Sequence, residues 1–122
     1  MSRSRTFIAK GNISKGSPVF ISGNQEVSTA SCYDLSHAKS VIGIVPRSYR
    51  DGQEVFYEDI VSYGPITNYF FNDKNEGGVV LYLGNGTVTP HRPEGNASIL
   101  VMGVTTGGKD IWVRQQYLGR NL

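Results

Sequence analysis

The sequence predicts an all-β protein: a single small β-barrel or sandwich built from two similar halves, with flexible N- and C-terminal segments. Three observations predict it. Short runs rich in Val, Ile, Thr and aromatic residues alternate with clusters of Gly, Asn, Asp and Pro, and helical periodicity is almost absent. A hairpin pattern occurs twice. Gly77-Gly78-Val79-Val80-Leu81-Tyr82-Leu83 runs into Gly84-Asn85-Gly86, and Thr87-Val88-Thr89-Pro90 returns. Gly and Asn reach positive φ at little cost, which tight hairpin turns need. Residues 16–28 align with residues 77–89 without gaps, through the identical pairs Gly16/Gly77, Val19/Val80, Gly23/Gly84, Asn24/Asn85 and Val27/Val88. Finally, Val41-Ile42-Gly43-Ile44-Val45 matches Val101-Met102-Gly103-Val104-Thr105, each an apolar run with a Gly inside. Such a Gly marks a bulge, a bend or a close backbone approach. After each run comes a turn and a strand: Asp51-Gly52-Gln53 before Glu54-Val55-Phe56-Tyr57, and Gly107-Gly108-Lys109 before Asp110-Ile111-Trp112-Val113-Arg114.

The repeated unit is therefore hairpin, loop, Gly-centred strand, turn, strand, over halves of about 13–60 and 74–114. Its period, about sixty residues, is too long for a solenoid and occurs twice, which fits a duplication closing one barrel or sandwich. The 122 residues make one domain, large enough for a core without staples. We divide the chain into an arm (1–6), a β-domain (7–116) and a tail (117–122). The one cysteine, Cys32, allows no intrachain disulfide and suits synthesis in a reducing cytosol. Met1-Ser2-Arg3-Ser4-Arg5 is not followed by the apolar segment of a signal peptide. No run approaches the roughly 18 apolar residues of a membrane span. A net charge of +2 argues against a nucleic-acid partner, which calls for a concentrated basic face.

In chain order, Arg3 and Arg5 could tie the arm to an acidic partner surface, and Thr6-Phe7-Ile8-Ala9 forms a first strand before the turn Gly11-Asn12. Pro18 lacks an N–H, so its strand begins there or lies at an edge. Residues 34–39 form one helical turn or a loop, with Asp34 or Ser36 as cap. Residues 41–45 are buried on both faces and stop at Pro46. Val55, Tyr57 and Ile60 break alternation, suggesting a bulge near Glu58-Asp59, and Gly64-Pro65 breaks the strand again.

Tyr69-Phe70-Phe71 joins the halves, and at least one ring should point outward as an interface anchor. Residues 91–96 are a loop, and residues 97–104 the buried strand of the second half. If Ile111 and Val113 face the core, Trp112 is exposed or packed at an interface. Tyr117 and Leu118 begin a tail that is frayed or docked on a neighbour.

Catalytic chemistry finds little to stand on. His37 and His91 lie in polar loops without metal-ligand spacing, and Cys32 with His37 lacks an orienting third group. Glu54, Glu58, Asp59, Asp73, Glu76, Glu94 and Asp110 sit at turns and strand ends, where charges normally lie. Neither Gly84-Asn85-Gly86 nor Gly107-Gly108-Lys109 matches a phosphate-binding loop. The aromatics near Lys74 lack the basic stripe of a base-stacking platform. We expect no enzyme, no cofactor and no bound metal.

The order of these motifs carries a resemblance over about residues 9–114. Gly16-x-x-Val19, Gly23 with Val27, residues 41–45 and Asp51-Gly52-Gln53-Glu54-Val55 lead through Gly64 to Gly78-x-x-Leu81-Tyr82-Leu83-x-x-Gly86-x-Val88-Thr89-x-Pro90 and Met102-Gly103-Val104-Thr105. This resembles small β-barrel modules of tailed-bacteriophage structural proteins, notably capsid decoration (cement) proteins and the bases of head or tail fibres. The resemblance implies a non-catalytic module, often a homotrimer, on the virion surface with the major capsid protein as partner. Membrane and direct nucleic-acid partners are not implied. Many weak identical contacts on a lattice let avidity replace individual affinity. The residues we assign to partner binding are Arg3, Arg5, Tyr69, Phe70, Phe71, Trp112, Tyr117 and Leu118. The alternatives are a head-fibre, collar or tail-fibre attachment module and, in another class, a carbohydrate- or nucleic-acid-binding barrel.

Overall fold

The computed structural model describes residues 5–69 and 76–120. They form two five-stranded sheets with no helix beyond two short 3-10 turns, so the expected all-β class holds. The first sheet contains β1 (Thr6–Ala9), β2 (Pro18–Gly23), β3 (Glu26–Thr29), β4 (Val41–Ile44) and β5 (Glu54–Phe56), in the order β4-β2-β3-β1-β5. The second contains β6 (Tyr63–Ile66), β7 (Val80–Leu83), β8 (Val88–Thr89), β9 (Ser98–Gly107) and β10 (Asp110–Arg120), in the order β6-β10-β9-β7-β8. Two seams join the sheets. Ile44 and Val61 exchange both backbone hydrogen bonds, at 3.0 and 2.9 Å. At the other seam Cys32 N–H donates to Gly84 O, Gly86 N–H to Ala30 O and Ser98 N–H to Cys32 O.

Two apolar clusters follow from this arrangement. The first sheet packs against its own, made of Phe7, Ala9, Ile13, Val19, Val27, Val45, Tyr49, Val55 and Ile60. The other lies against the second sheet and holds Ile66, Leu81, Leu83, Leu100, Met102, Ile111 and Val113, with Ile44 from the first. Residues 41–45 touch both, as expected: Val41 and Ile44 pack on one cluster, Ile42 and Val45 on the other.

The duplication appears in the hydrogen-bonded pairing. The order β4-β2-β3 repeats as β9-β7-β8. Val19 stands opposite Gly43 and Phe20 opposite Val41, with a register shift between them. Leu81 stands opposite Gly103 and Tyr82 opposite Val101, with the same shift. The equivalent residues are thus Val19 and Leu81, both buried, one position away from the gapless alignment, which pairs Val19 with the exposed Val80. The turns account for the slip. Ile21 pairs with Val27 across five intervening residues, and Leu83 with Val88 across four, and the longer turn is taken up by a bulge at Gly23.

Both strand glycines are required by close approach. A Cβ on Gly103 would strike the carbonyl oxygen of Trp112, and one on Gly43 that of Val61, where Gly43 also has φ +152°. The halves part company at their last strands. β10 pairs with β9, whereas β5 leaves β4 and pairs with β1. β1 in turn runs parallel to β3, a pairing that joins residues far apart in sequence.

Three local expectations are corrected. Gly64-Pro65 lies inside β6, which tolerates Pro because, among the described residues, it pairs only with β10 and is an edge strand. The irregularity near Glu58-Asp59 is a 3-10 turn over Tyr57–Asp59. The helical turn expected within residues 34–39 is present as the 3-10 turn His37–Lys39 with Ser36 at its N-cap position, preceded by an Asx turn in which Asp34 Oδ1 accepts from Ser36 N and Oγ. Tyr117 to Arg120 are part of β10: Tyr117 pairs with Leu100, Gly119 with Ile99 and Arg120 with Ser98. The buried residues Ser98, Ile99 and Leu100 need that partner strand for their backbone groups. The N-terminal boundary also moves, since Thr6 pairs with Phe56 and Arg5 O accepts from Tyr57 N.

Candidate functional site

The outer face of the second sheet carries a row of apolar side chains, with Tyr63 and Val80 exposed. Ile111 and Val113 are fully buried, so the pleat turns Trp112 outward, as the alternation rule demands. Trp112 stands opposite Pro65 on β6 and Val104 on β9, and Val104 stands opposite Val80 on β7. Directly opposed residues share a face, so Pro65, Trp112, Val104 and Val80 form one row across four strands. Tyr63 closes the row at the sheet edge: its ring meets Trp112 edge to face at 5.5 Å and is 69% exposed. Beside the row lies a groove of about 280 Å³ lined by Val80, Val101, Gly103, Val104, Arg114 and Gln116. A contiguous apolar patch with an aromatic anchor and a cationic rim is the usual make-up of a protein interface.

The other predicted partner residues divide. Tyr117 and Leu118 are exposed, on the part of β10 that runs past the end of β6. That free strand edge continues the face from Arg114 outward. Tyr69 is corrected: its ring packs on the main core and its Oη donates to Gly16 O at 2.6 Å, so it is an internal strut. Burial pushes its phenol up to about 12. Arg5 lies 5.7 Å over the Tyr57 ring, a cation–π contact within the chain. Arg3, Phe70 and Phe71 lie outside the described residues.

Sequence reasoning singled out Trp112 but missed Tyr63 and Val80. Val80 was aligned with the buried Val19, and Tyr63 preceded a Gly-Pro expected to end its strand. Among the described residues no three His, Cys, Asp or Glu side chains gather as metal ligands, and no helix is long and apolar enough to cross a membrane. Burial pushes the Cys32 thiol up, which keeps it protonated and poorly nucleophilic. Comparison of the chain with protein-family models, characterised proteins and solved structures returned no match.

Proposed function

We propose that this chain is a bacteriophage virion structural protein of the capsid-decoration type, which sits on the outside of the major capsid protein lattice and stabilises the head. The observation that carries the reading is the row Tyr63, Trp112, Val104 and Val80 on the outward face of the second sheet, with Tyr63 and Val80 exposed. A single row of side chains suits repeated engagement of a lattice, where linked weak contacts multiply. The protruding end of β10, with Tyr117 and Leu118, serves contacts among copies in a homotrimer. The chain has no catalytic or cofactor role in this reading. Its place is the virion surface.

The test is sedimentation of density-purified particles from cells producing the chain. Stable co-sedimentation that Val80→Glu abolishes supports the reading. A chain that stays in the supernatant at all salt concentrations rejects it.

A further inference from the structure

At the seam where residues 30–33 meet the β7–β8 turn, the surface opens into a cleft of about 490 Å³, on the size scale of a small-molecule site. Its wall brings together segments far apart in sequence: Cys32 and Tyr33 from one half, Asn85, Thr87 and Thr89 from the hairpin, and His91, Arg92 and Glu94 from the following loop. A chain of hydrogen bonds fixes the rim. Asp34 Oδ2 lies 3.1 Å from His37 Nε2. His37 Nδ1 accepts from Ser31 N, and Ser31 Oγ donates to Asn85 Oδ1 at 2.9 Å. The His37 ring itself is held flat against Phe20, with centroids 3.7 Å apart. Asn85 is thereby oriented through its oxygen. Its Nδ2 group makes no hydrogen bond among the described residues, nor do the side chains of Arg92 and Glu94.

The cleft therefore offers an oriented donor (Asn85), a second donor (Arg92), an acceptor (Glu94), a hydroxyl of either sense (Thr87) and an aromatic ring, Tyr33, that is 55% exposed. Arg92 and Glu94 offset each other, so the lining favours neither an anion nor a cation. The ligand chemistry that uses all of these at once is a neutral polyol ring. Vicinal hydroxyls take paired donors and acceptors, and the ring's C–H face packs on an aromatic π-face. We propose that this cleft binds a neutral sugar residue. The inference is independent of the capsid reading, since the cleft lies on the inter-sheet seam and shares no lining residue with the Trp112 face.

The experiment is amide chemical-shift mapping on the full chain, titrated with glucose, galactose, N-acetylglucosamine and rhamnose, with their methyl glycosides, and with inorganic phosphate. Shifts at the Asn85 side-chain amide and at residues 91–94 with at least one sugar, weakened ten-fold or more by Tyr33→Ala, are expected. Binding of a methyl glycoside as well as its free sugar identifies a glycan residue as the ligand. Binding of the reducing sugar alone identifies a free sugar. No shift with any sugar, shifts with phosphate only, or unchanged binding in Tyr33→Ala overturns the proposal. Tyr33 is exposed, so its removal leaves the fold intact, and Glu94→Ala provides a second variant that should weaken the same shifts.

Discussion

Gly103 lies against the main-chain carbonyl of Trp112, so close that a methyl group at Gly103 would have no room. The residue that lets β9 and β10 approach is therefore in direct contact with the residue that anchors the outer face. Gly43 makes the matching approach to Val61 beside the Ile44–Val61 seam. Scaffold and surface are tied through the same two glycines that mark the repeat.

Gly103→Ala should lower unfolding stability by about 1–3 kcal/mol, because the colliding atoms are backbone and cannot swing away. Gly43→Ala should cost more, since its positive φ adds strain of about 1–3 kcal/mol. Gly77→Ala is the control: its Cβ would make only ordinary contacts, the nearest at 3.5 Å, and stability should change by less than about 0.5 kcal/mol. Urea unfolding of the three variants measures the order.

Tyr69 predicts an alkaline effect with a definite sign. Its phenol is pushed up to about 12 in the folded chain, against about 10 when unfolded. A raised pKa means the folded state holds the proton more tightly. The stabilisation is fully present below pH 10 and is lost as pH rises from about 10 to about 12. Tyr69→Phe should lose about 1 kcal/mol at neutral pH, from the missing bond to Gly16 O. The gap between wild type and Tyr69→Phe should close across that alkaline window.

Removing residues 117–122 should destabilise the domain. The deletion strips Leu100, Ile99 and Ser98 of their pairing with Tyr117, Gly119 and Arg120. Faster amide exchange on Ser98 to Leu100, with a lowered melting temperature, is the expected readout. A truncated chain that melts like the full one would show that this end of β10 contributes nothing to the sheet.

Much of the scaffold was legible because its signals are local. Both hairpins, the two Gly-centred strands and the outward turn of Trp112 follow from turn chemistry and a period of two. What escaped depends on contacts distant in sequence. No local pattern says that β1 runs parallel to β3, or that β5 pairs with β1 while β10 stays with β9. The one-residue slip between Val19 and Val80 was hidden by the bulge at Gly23, and a slip of one exchanges the faces of a strand. The Trp112 anchor could be read from its neighbours, but Tyr63 could not, because Pro65 looked like a stop rather than an edge residue. The polar cleft was invisible for a similar reason: residues 32–33 and 85–94 meet only through the seam.

On the outer face, Val80→Glu places a charge at a site already 42% exposed, so stability should change by less than about 0.5 kcal/mol. Trp112→Ala should cost about 1 kcal/mol through its lost contact with Tyr63. Both variants should remain folded by near-ultraviolet dichroism, and both should lose attachment to particles.

The most direct measurement is the copy number of this chain on gradient-purified particles, by quantitative mass spectrometry, for wild type and Val80→Glu side by side. The account predicts hundreds of wild-type copies per particle and a drop of ten-fold or more for the variant. Wild-type occupancy of about a dozen would place the chain at a unique vertex or fibre base instead of on the lattice. Equal occupancy of the two proteins, or none of either, would contradict the claim that this sheet face docks on a shell.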